Sequence, residues 1–301
     1  MSDSVENLRR KIEKAGALDS VVRTMKMLAA TNIRQYEEAV RALADYYRTV
    51  ELGLSACFRQ SGSGANGGAA TDLTELQTIA VVFGSDQGLV GQFNDRLAET
   101  VRNFPDFGRG GDIVILPVGE RIQVRLAGSG MVTEPLFRVP NSVNAITSLV
   151  GELLSGVERI RANRSLFKLI LFYNSPVTGG IYQPVTRRLL PLDETWEAGI
   201  RGSAGGWPGR AAPETPNGLE ITRWALVREY LFVSLFRACA ESLASENASR
   251  LSAMQRAEKN IDELLDELAR QYNQRRQANI DEELFDVIAG FQALNDLPKG
   301  R

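Results

Sequence analysis

Histidine is absent from the 301 residues of this chain, and cysteine occurs only twice. Without histidine there is no Ser-His-Asp triad, no Cys-His nucleophile and no metal site that uses an imidazole. Cys57 and Cys239 lie far apart, form no CxxC pair, and each falls within a stretch of helical periodicity. We interpret them as buried thiols of a protein in a reducing compartment, and we expect no catalytic residue, metal ligand or cofactor.

Long apolar runs and a strong charge imbalance are also missing. No run of apolar residues reaches the ~20 that a membrane-spanning helix needs, and residues 1–11 (MSDSVENLRRK) lack the apolar segment of a signal peptide. The net charge of −2 argues against a nucleic-acid partner, because such proteins usually carry a concentrated basic surface. With 44% hydrophobic and 24% charged residues, the composition is typical of a soluble globular protein. Such a protein can still attach to a membrane through another protein.

An apolar repeat with steps of three and four occurs at each end of the chain, and this spacing is typical of a coiled-coil seam. We predict one helix over about residues 3–58 and another over about residues 219–294. Residues 1–34 carry seven basic and four acidic side chains, whereas residues 258–301 carry ten acidic and six basic ones, which favours antiparallel pairing. The repeats consist of Val22, Met25, Ala29, Ile33, Tyr36, Val40, Leu43, Tyr47, Val50 and Leu54, and of Ile261, Leu264, Leu268, Ile280, Leu284, Val287, Phe291 and Leu294.

Between the long helices, short apolar strands alternate with amphipathic helices, which predicts a doubly wound, mostly parallel α/β domain covered on both faces. Gly/Ser-rich residues 61–71 and Gly/Pro-rich residues 197–218 are predicted loops on either side. The predicted domains are an N-terminal coiled-coil helix at 1–58, the α/β domain at 75–195 and a C-terminal coiled-coil helix at 219–301. The predicted strands are 78–83, 112–118 and 166–173, with an edge strand or hairpin within 178–191, and the predicted helices are 94–103, 120–127 and 143–162.

Three motifs have a functional and a plainer interpretation. The loop at residues 85–91 (SDQGLVG) has the position of a phosphate cradle, but its spacing fits neither GxxxxGK[ST] nor GxGxxG, so a tight strand-to-helix turn is favoured. The acidic cluster and the Arg-Arg-Gln triplet near the C-terminus are interpreted as solvated or partner-facing helix surface. These are Asp281, Glu282, Glu283 and Asp286, and Arg275, Arg276 and Gln277.

Several blocks, in the same order and spacing, resemble the gamma subunit of rotary F-type ATP synthases, and they cover nearly the whole chain. Residues 83–94 (FGSDQGLVGQFN) are similar to the family's SDRGLCGGLN turn, and residues 244–250 (ASENASR) to its SExxAR motif. The remaining blocks are residues 8–12 (LRRKI), 22–31 (VRTMKMLAAT), 272–280 (YNQRRQANI) and 287–290 (VIAG).

The resemblance implies a non-catalytic rotor shaft, in which an antiparallel coiled coil couples ion-driven rotation of a membrane c ring to ATP synthesis or hydrolysis. It implies alpha, beta and epsilon subunits and the c ring as partners, no small-molecule substrate, and a peripheral position on the cytoplasmic face of a bacterial inner membrane. The partner-contacting residues that it implies are Met25, Lys26, Arg34, Arg276, Gln277, Glu282 and Glu283.

This chain departs from the family pattern at three places, so what it resembles is a divergent gamma subunit. The family's Cys-Gly-Gly is Val90-Gly91-Gln92 here, the YxFEPS segment before the last helix is replaced around residues 207–213 (WPGRAAP), and residues 291–301 extend the C-terminus. Two other classes stay open from the residues alone. One is a nucleotide-dependent α/β enzyme with helical oligomerisation arms, and the other is a free-standing coiled-coil scaffold.

Overall fold

The computed structural model describes residues 4–60, 76–109, 113–161, 167–177, 182–192, 213–216 and 218–295. The loop predicted at 61–71, most of the one predicted at 197–218, and the tail after residue 295 lie outside the described residues. The chain divides into two compact units. The terminal unit comprises residues 1–28 and 251–301, and the central unit comprises residues 29–250.

Both predicted long helices are present. Helix α1 covers Val5–Gln60, and the last helix, α5, covers Leu219–Asn295. Their bounds agree with the apolar repeats to within a few residues, because uninterrupted periodicity over many turns is a strong signal for a helix. Pro298, three residues beyond the end of α5, cannot continue a helix, in keeping with this end point.

In the terminal unit, the two helices run antiparallel, as predicted. Lys26 pairs with Glu258 and Arg23 with Asp262. Residues earlier in α1 thus pair with residues later in α5. Val22, Met254 and Ile261 form a small buried cluster against which Met25 and Leu265 pack. Among the described residues of this unit, apolar burial is therefore confined to a narrow strip between two helices.

The central unit contains a four-stranded sheet in the order β2-β1-β3-β4. Strands β1, β2 and β3 are parallel, and β4 pairs with β3 in the antiparallel direction. The prediction of a mostly parallel sheet with a further edge strand is thus confirmed. The strands are β1 Gln77–Phe83, β2 Ile113–Val118, β3 Phe167–Ser175 and β4 Gln183–Leu190.

Helices cover both faces of this sheet, and successive strand residues supply opposite faces. Helices α2 (Phe93–Arg102) and α3 (Glu120–Ala127) pack on one face, and α4 (Val143–Arg161) packs on the other with parts of α1 and α5. Every residue of β1 is buried, which explains its continuous apolar run. The first face uses Ala80, Val82, Ile170 and Phe172, and the second uses Ile79, Val81, Leu169 and Leu171.

One element was not predicted, a 3-10 helix at Pro105–Arg109. It supplies a counter-ion for Lys168, a basic residue within the apolar strand β3. The Lys168 ammonium lies 2.7 Å from the Asp106 carboxylate, which also accepts a hydrogen bond of 3.3 Å from the Thr78 hydroxyl. Since an unpaired buried charge is costly, this short helix makes a lysine tolerable in a central strand.

Candidate functional site

The carboxyl edge of the sheet is where a doubly wound fold would hold a ligand, in the crevice at which the strand order reverses. Here β2 lies on one side of β1 and β3 on the other, so the reversal occurs at the end of β1. The loop that resembles a phosphate cradle follows this strand and leads into α2. This edge is therefore the place to test the enzyme alternative.

Ser85 and Asp86, the first two residues of that loop, form hydrogen bonds within the chain. The Ser85 backbone N–H donates to Asn94 Oδ1 at 3.1 Å, and Asn94 Nδ2 donates to Ser85 Oγ at 2.8 Å. The Asp86 carboxylate accepts from the backbone N–H groups of Glu120, at 2.9 Å, and Val139, at 3.0 Å. The loop is thus the tight strand-to-helix turn that the sequence favours, because its Ser85 and Asp86 side chains bind other parts of the same chain.

Two glycines explain how closely this turn packs. A Cβ at Gly84 would lie 2.3 Å from Ile122 Cβ, and one at Gly119 would lie 2.8 Å from the Ser85 backbone. Gly119 also has a φ of 111°, which side-chain-bearing residues rarely adopt. The start of α3 is therefore pressed directly against the loop.

Helix α5 crosses the same edge and donates three hydroxyl groups to it. Ser242 Oγ donates to the Phe83 carbonyl at 3.0 Å, Ser245 Oγ to the Asn174 carbonyl at 3.0 Å, and Ser249 Oγ to the Val90 carbonyl at 2.5 Å. These accepting carbonyls belong to the end of β1, the penultimate residue of β3 and the turn. We call Ser242, Ser245 and Ser249 the serine face. The crevice of the nucleotide-binding fold is therefore occupied by the chain's own helix.

A buried ion pair lies within the same segment of α5. The Arg250 guanidinium is 2.7 Å from the Glu246 carboxylate, and both side chains are nearly inaccessible. Burial raises the pKa of Glu246, while the neighbouring Arg250 opposes the rise. Asp86 acts on Glu246 electrostatically and also raises its pKa. The two acidic side chains make this environment unfavourable for a phosphate.

Three of the seven residues implied as partner contacts have intramolecular partners. Met25 is half-buried against the Val22 cluster, and the Lys26 ammonium lies 2.5 Å from the Glu258 carboxylate. The hydrogen bond from Lys26 lowers the pKa of Glu258. Arg34 pairs with Glu38 at 2.8 Å, but 82% of its side chain is exposed. Of these three residues, Arg34 has the most surface left for another subunit.

The other four implied contacts, Arg276, Gln277, Glu282 and Glu283, are all exposed. They lie on a stretch of α5, residues 273–290, in which every described side chain is exposed. Large apolar side chains are exposed there as well, and contiguous apolar surface of this kind marks an interaction site. The apolar residues are Ile280, Leu284, Phe285, Val287 and Ile288, and we call them the apolar end of α5.

The sequence reasoning missed two features of this site. It did not single out Ser242, Ser245 and Ser249, although they recur at helical spacing on one side of α5. It also omitted Phe285 and Ile288, which broaden the apolar end beyond the predicted seam. The signal for the serine face was the recurrence of small polar residues at steps of three and four within a predicted helix.

The described residues contain neither a membrane-spanning helix nor a metal-binding cluster. None of their helices combines the length and hydropathy of a membrane span. Within the same residues, no group of three or more cysteine or acidic side chains is arranged to hold a metal ion.

Comparison with known proteins identifies the family. The family described as ATP synthase matches residues 4–294. The ATP synthase gamma chain of Flavobacterium johnsoniae is 27% identical over 97% of this chain and 99% of its own length. That of Syntrophus aciditrophicus is 26% identical over 97% of this chain and 98% of its own.

Solved structures show the same fold. A chain of the OSCP/F1/c-ring part of the Euglena gracilis mitochondrial ATP synthase matches with a TM-score of 0.61 at 17% identity, over 99% of this chain and 98% of its own. A chain of the central stalk and c ring from Tetrahymena thermophila matches with a TM-score of 0.52 at 20% identity, over 79% and 99%. The chain therefore belongs to the ATP synthase family, and within it resembles the gamma chain along nearly its whole length.

Proposed function

We propose that this chain is the non-catalytic central shaft of an F-type ATP synthase, coupling ion-driven rotation of a c ring to ATP synthesis or hydrolysis at other subunits. The observation that carries the proposal is the serine face of α5. It closes the crevice in which a doubly wound domain would bind nucleotide. The α/β domain is therefore suited to a structural role, fixed to the long helix, instead of a catalytic one. The gamma-chain relatives and the likeness to chains of rotor assemblies support the same role.

The proposed mechanism depends on contacts that differ from one catalytic subunit to the next. The exposed apolar end of α5 provides an apolar surface on which surrounding subunits can turn without specific bonds. The charged residues next to it provide contacts that differ as the shaft turns. Only such a difference in contact free energy shifts the conformational populations of the catalytic subunits.

The proposed partners are the alpha and beta subunits around the helical end, with the epsilon subunit and the c ring at the α/β domain. Within the chain, the shaft corresponds to residues 1–58 and 219–301 and the globular part to residues 75–195. The proposed partner contacts are Met25, Lys26, Arg34, Arg276, Gln277, Glu282 and Glu283. A bacterial inner membrane, with the chain peripheral on its cytoplasmic face, is the proposed location.

Co-expression with alpha and beta subunits tests the proposal. A shaft should co-purify with them in one complex, and the complex should hydrolyse ATP and rotate. The isolated chain should bind no nucleotide in calorimetry, since the serine face of α5 occupies the crevice at the end of β1. Nucleotide binding by the isolated chain would favour the enzyme alternative, and a stable homodimer without alpha and beta subunits would favour the scaffold.

A further inference from the structure

We infer that the serine face is the joint that transmits torque between the α/β sheet and helix α5. This inference rests on the proposed function and adds to it a set of residues with a mechanical role. The three hydroxyls bind carbonyls at the ends of two adjacent strands and in the adjoining turn. They thus connect the helix to two hydrogen-bonded strands of the sheet itself.

The chemistry of serine suits a stiff joint. Each hydroxyl is one carbon from the backbone of α5, so its hydrogen bond transmits force with little side-chain motion. A contact through a long arginine or glutamate would yield by rotation about several bonds. The neighbouring Ala240 and Ala244 are fully buried, and small side chains of this kind bring the helix axis close to the sheet.

The spacing of the serine face resists both rotation of α5 about its axis and sliding of α5 along that axis. Ser242, Ser245 and Ser249 span two turns of the helix, about 10 Å at 1.5 Å per residue. Because the contacts lie on one side and at different heights, rotation of α5 about its own axis breaks all of them. Sliding along the axis breaks them as well, since each carbonyl accepts at a fixed position.

The two neighbouring interactions on α5 do not provide the same restraint. The Glu246–Arg250 pair lies within α5 and connects it to no strand. The bond from Ser175 to the Glu241 carboxylate, at 2.8 Å, does connect β3 with α5, but through a longer side chain that also accepts from Arg237. The serine face is therefore the short and direct connection.

Single-molecule rotation tests this inference in the assembled complex. Alpha and beta subunits are fixed to glass, and a rod is attached through Val132→Cys, a position that is 86% exposed in the central unit, whereas Cys57 and Cys239 are buried. The angular spread of the rod during the pauses of rotation reports the stiffness between the sheet and the catalytic subunits. The variants are Ser242→Ala, Ser245→Ala and the two combined.

We expect a wider angular spread in each single variant and the widest in the double variant. In membranes, where rotation works against an ion gradient, the rate of ATP hydrolysis by these variants should fall less than the membrane potential that hydrolysis generates. The matched control is Ser155→Ala, which removes an exposed hydroxyl that bonds only within α4 and should leave the spread unchanged. An unchanged spread in single variants that assemble would overturn the inference and leave the proposed function intact. Failure of the unsubstituted chain to assemble would overturn both.

Discussion

The central and terminal units are built from the same long helices but hold themselves together in different ways. The central unit buries both faces of a sheet, and many of its strand and helix residues are fully inaccessible. The described part of the terminal unit buries only a narrow strip between two helices, and residues 273–290 bury no side chain at all. The difference teaches that the central unit is held together by a two-sided core, whereas the described end of the terminal unit leaves large apolar side chains exposed.

The largest expected effect is on the central unit and comes from Gly84→Ala. The new Cβ would lie 2.3 Å from Ile122 Cβ and 2.8 Å from Asn94 Oδ1, so the start of α3 or the turn must shift. We expect the free energy of unfolding to fall by about 3 kcal/mol, at the upper end for overpacked cores. Urea unfolding followed by circular dichroism measures it. Gly151→Ala, at an exposed position of α4, is the control and should raise the free energy of unfolding by about 0.5–1 kcal/mol. If Gly84→Ala also raised it, the close packing at the turn would be refuted.

A smaller and more local effect is expected from Met254→Ala in the terminal unit. Met254 is 3% exposed within the Val22 cluster, and its truncation should cost about 2 kcal/mol, at the low end for buried methionine. Hydrogen–deuterium exchange should speed up in residues 5–28 and 251–268 while the sheet stays protected. Met27→Ala, at a position that is 70% exposed, should change neither. Loss of protection in the sheet as well would mean that the two units unfold as one.

The ion pairs between the two helices predict a weak dependence on pH. Lys26 lowers the pKa of the Glu258 carboxyl, so this group favours the folded helix pair above its ordinary pKa. That contribution is lost as the pH falls through the lowered value. Exchange in residues 5–28 should therefore speed up in acid, and Glu258→Gln should reduce this dependence. Glu263→Gln, whose partner Lys259 is on the same helix, is the control and should leave it intact.

No effect on the isolated chain is expected from Arg276→Ala, because Arg276 is exposed on the part of α5 that buries nothing. In a complex with alpha and beta subunits, we expect it to lower turnover or assembly, since a guanidinium makes charge-assisted hydrogen bonds with partner loops. Thermal melting of the isolated chain measures any effect on its stability, and ATP hydrolysis by the complex measures the effect on partner contacts. A lower melting temperature of the isolated chain would assign Arg276 to a structural role.

The elements of this fold were readable from the sequence, and the contacts between distant elements were not. The runs at 78–83 and 166–173 and the long apolar repeats predict their elements because periodicity is local. Asp106 as partner of Lys168, and the serine face as partner of strand carbonyls, depend on pairs separated by 62 and up to 159 residues. For the candidate site, the family resemblance pointed to exposed residues such as Arg276 but could not show that Lys26 has a partner within the chain.

The order of synthesis gives the antiparallel pairing of α1 and α5 a further consequence. Lys26 bonds to a residue 232 positions later in the chain, so the first helical turns leave the ribosome long before their partner exists. The residues of the central unit, 29–250, are all synthesised before the last part of α5. Val22 and Met25 must meanwhile stay exposed until the last part of α5 emerges. The terminal unit is thus the final structure to form on the newly made chain, and the one at greatest risk of aggregation before it does.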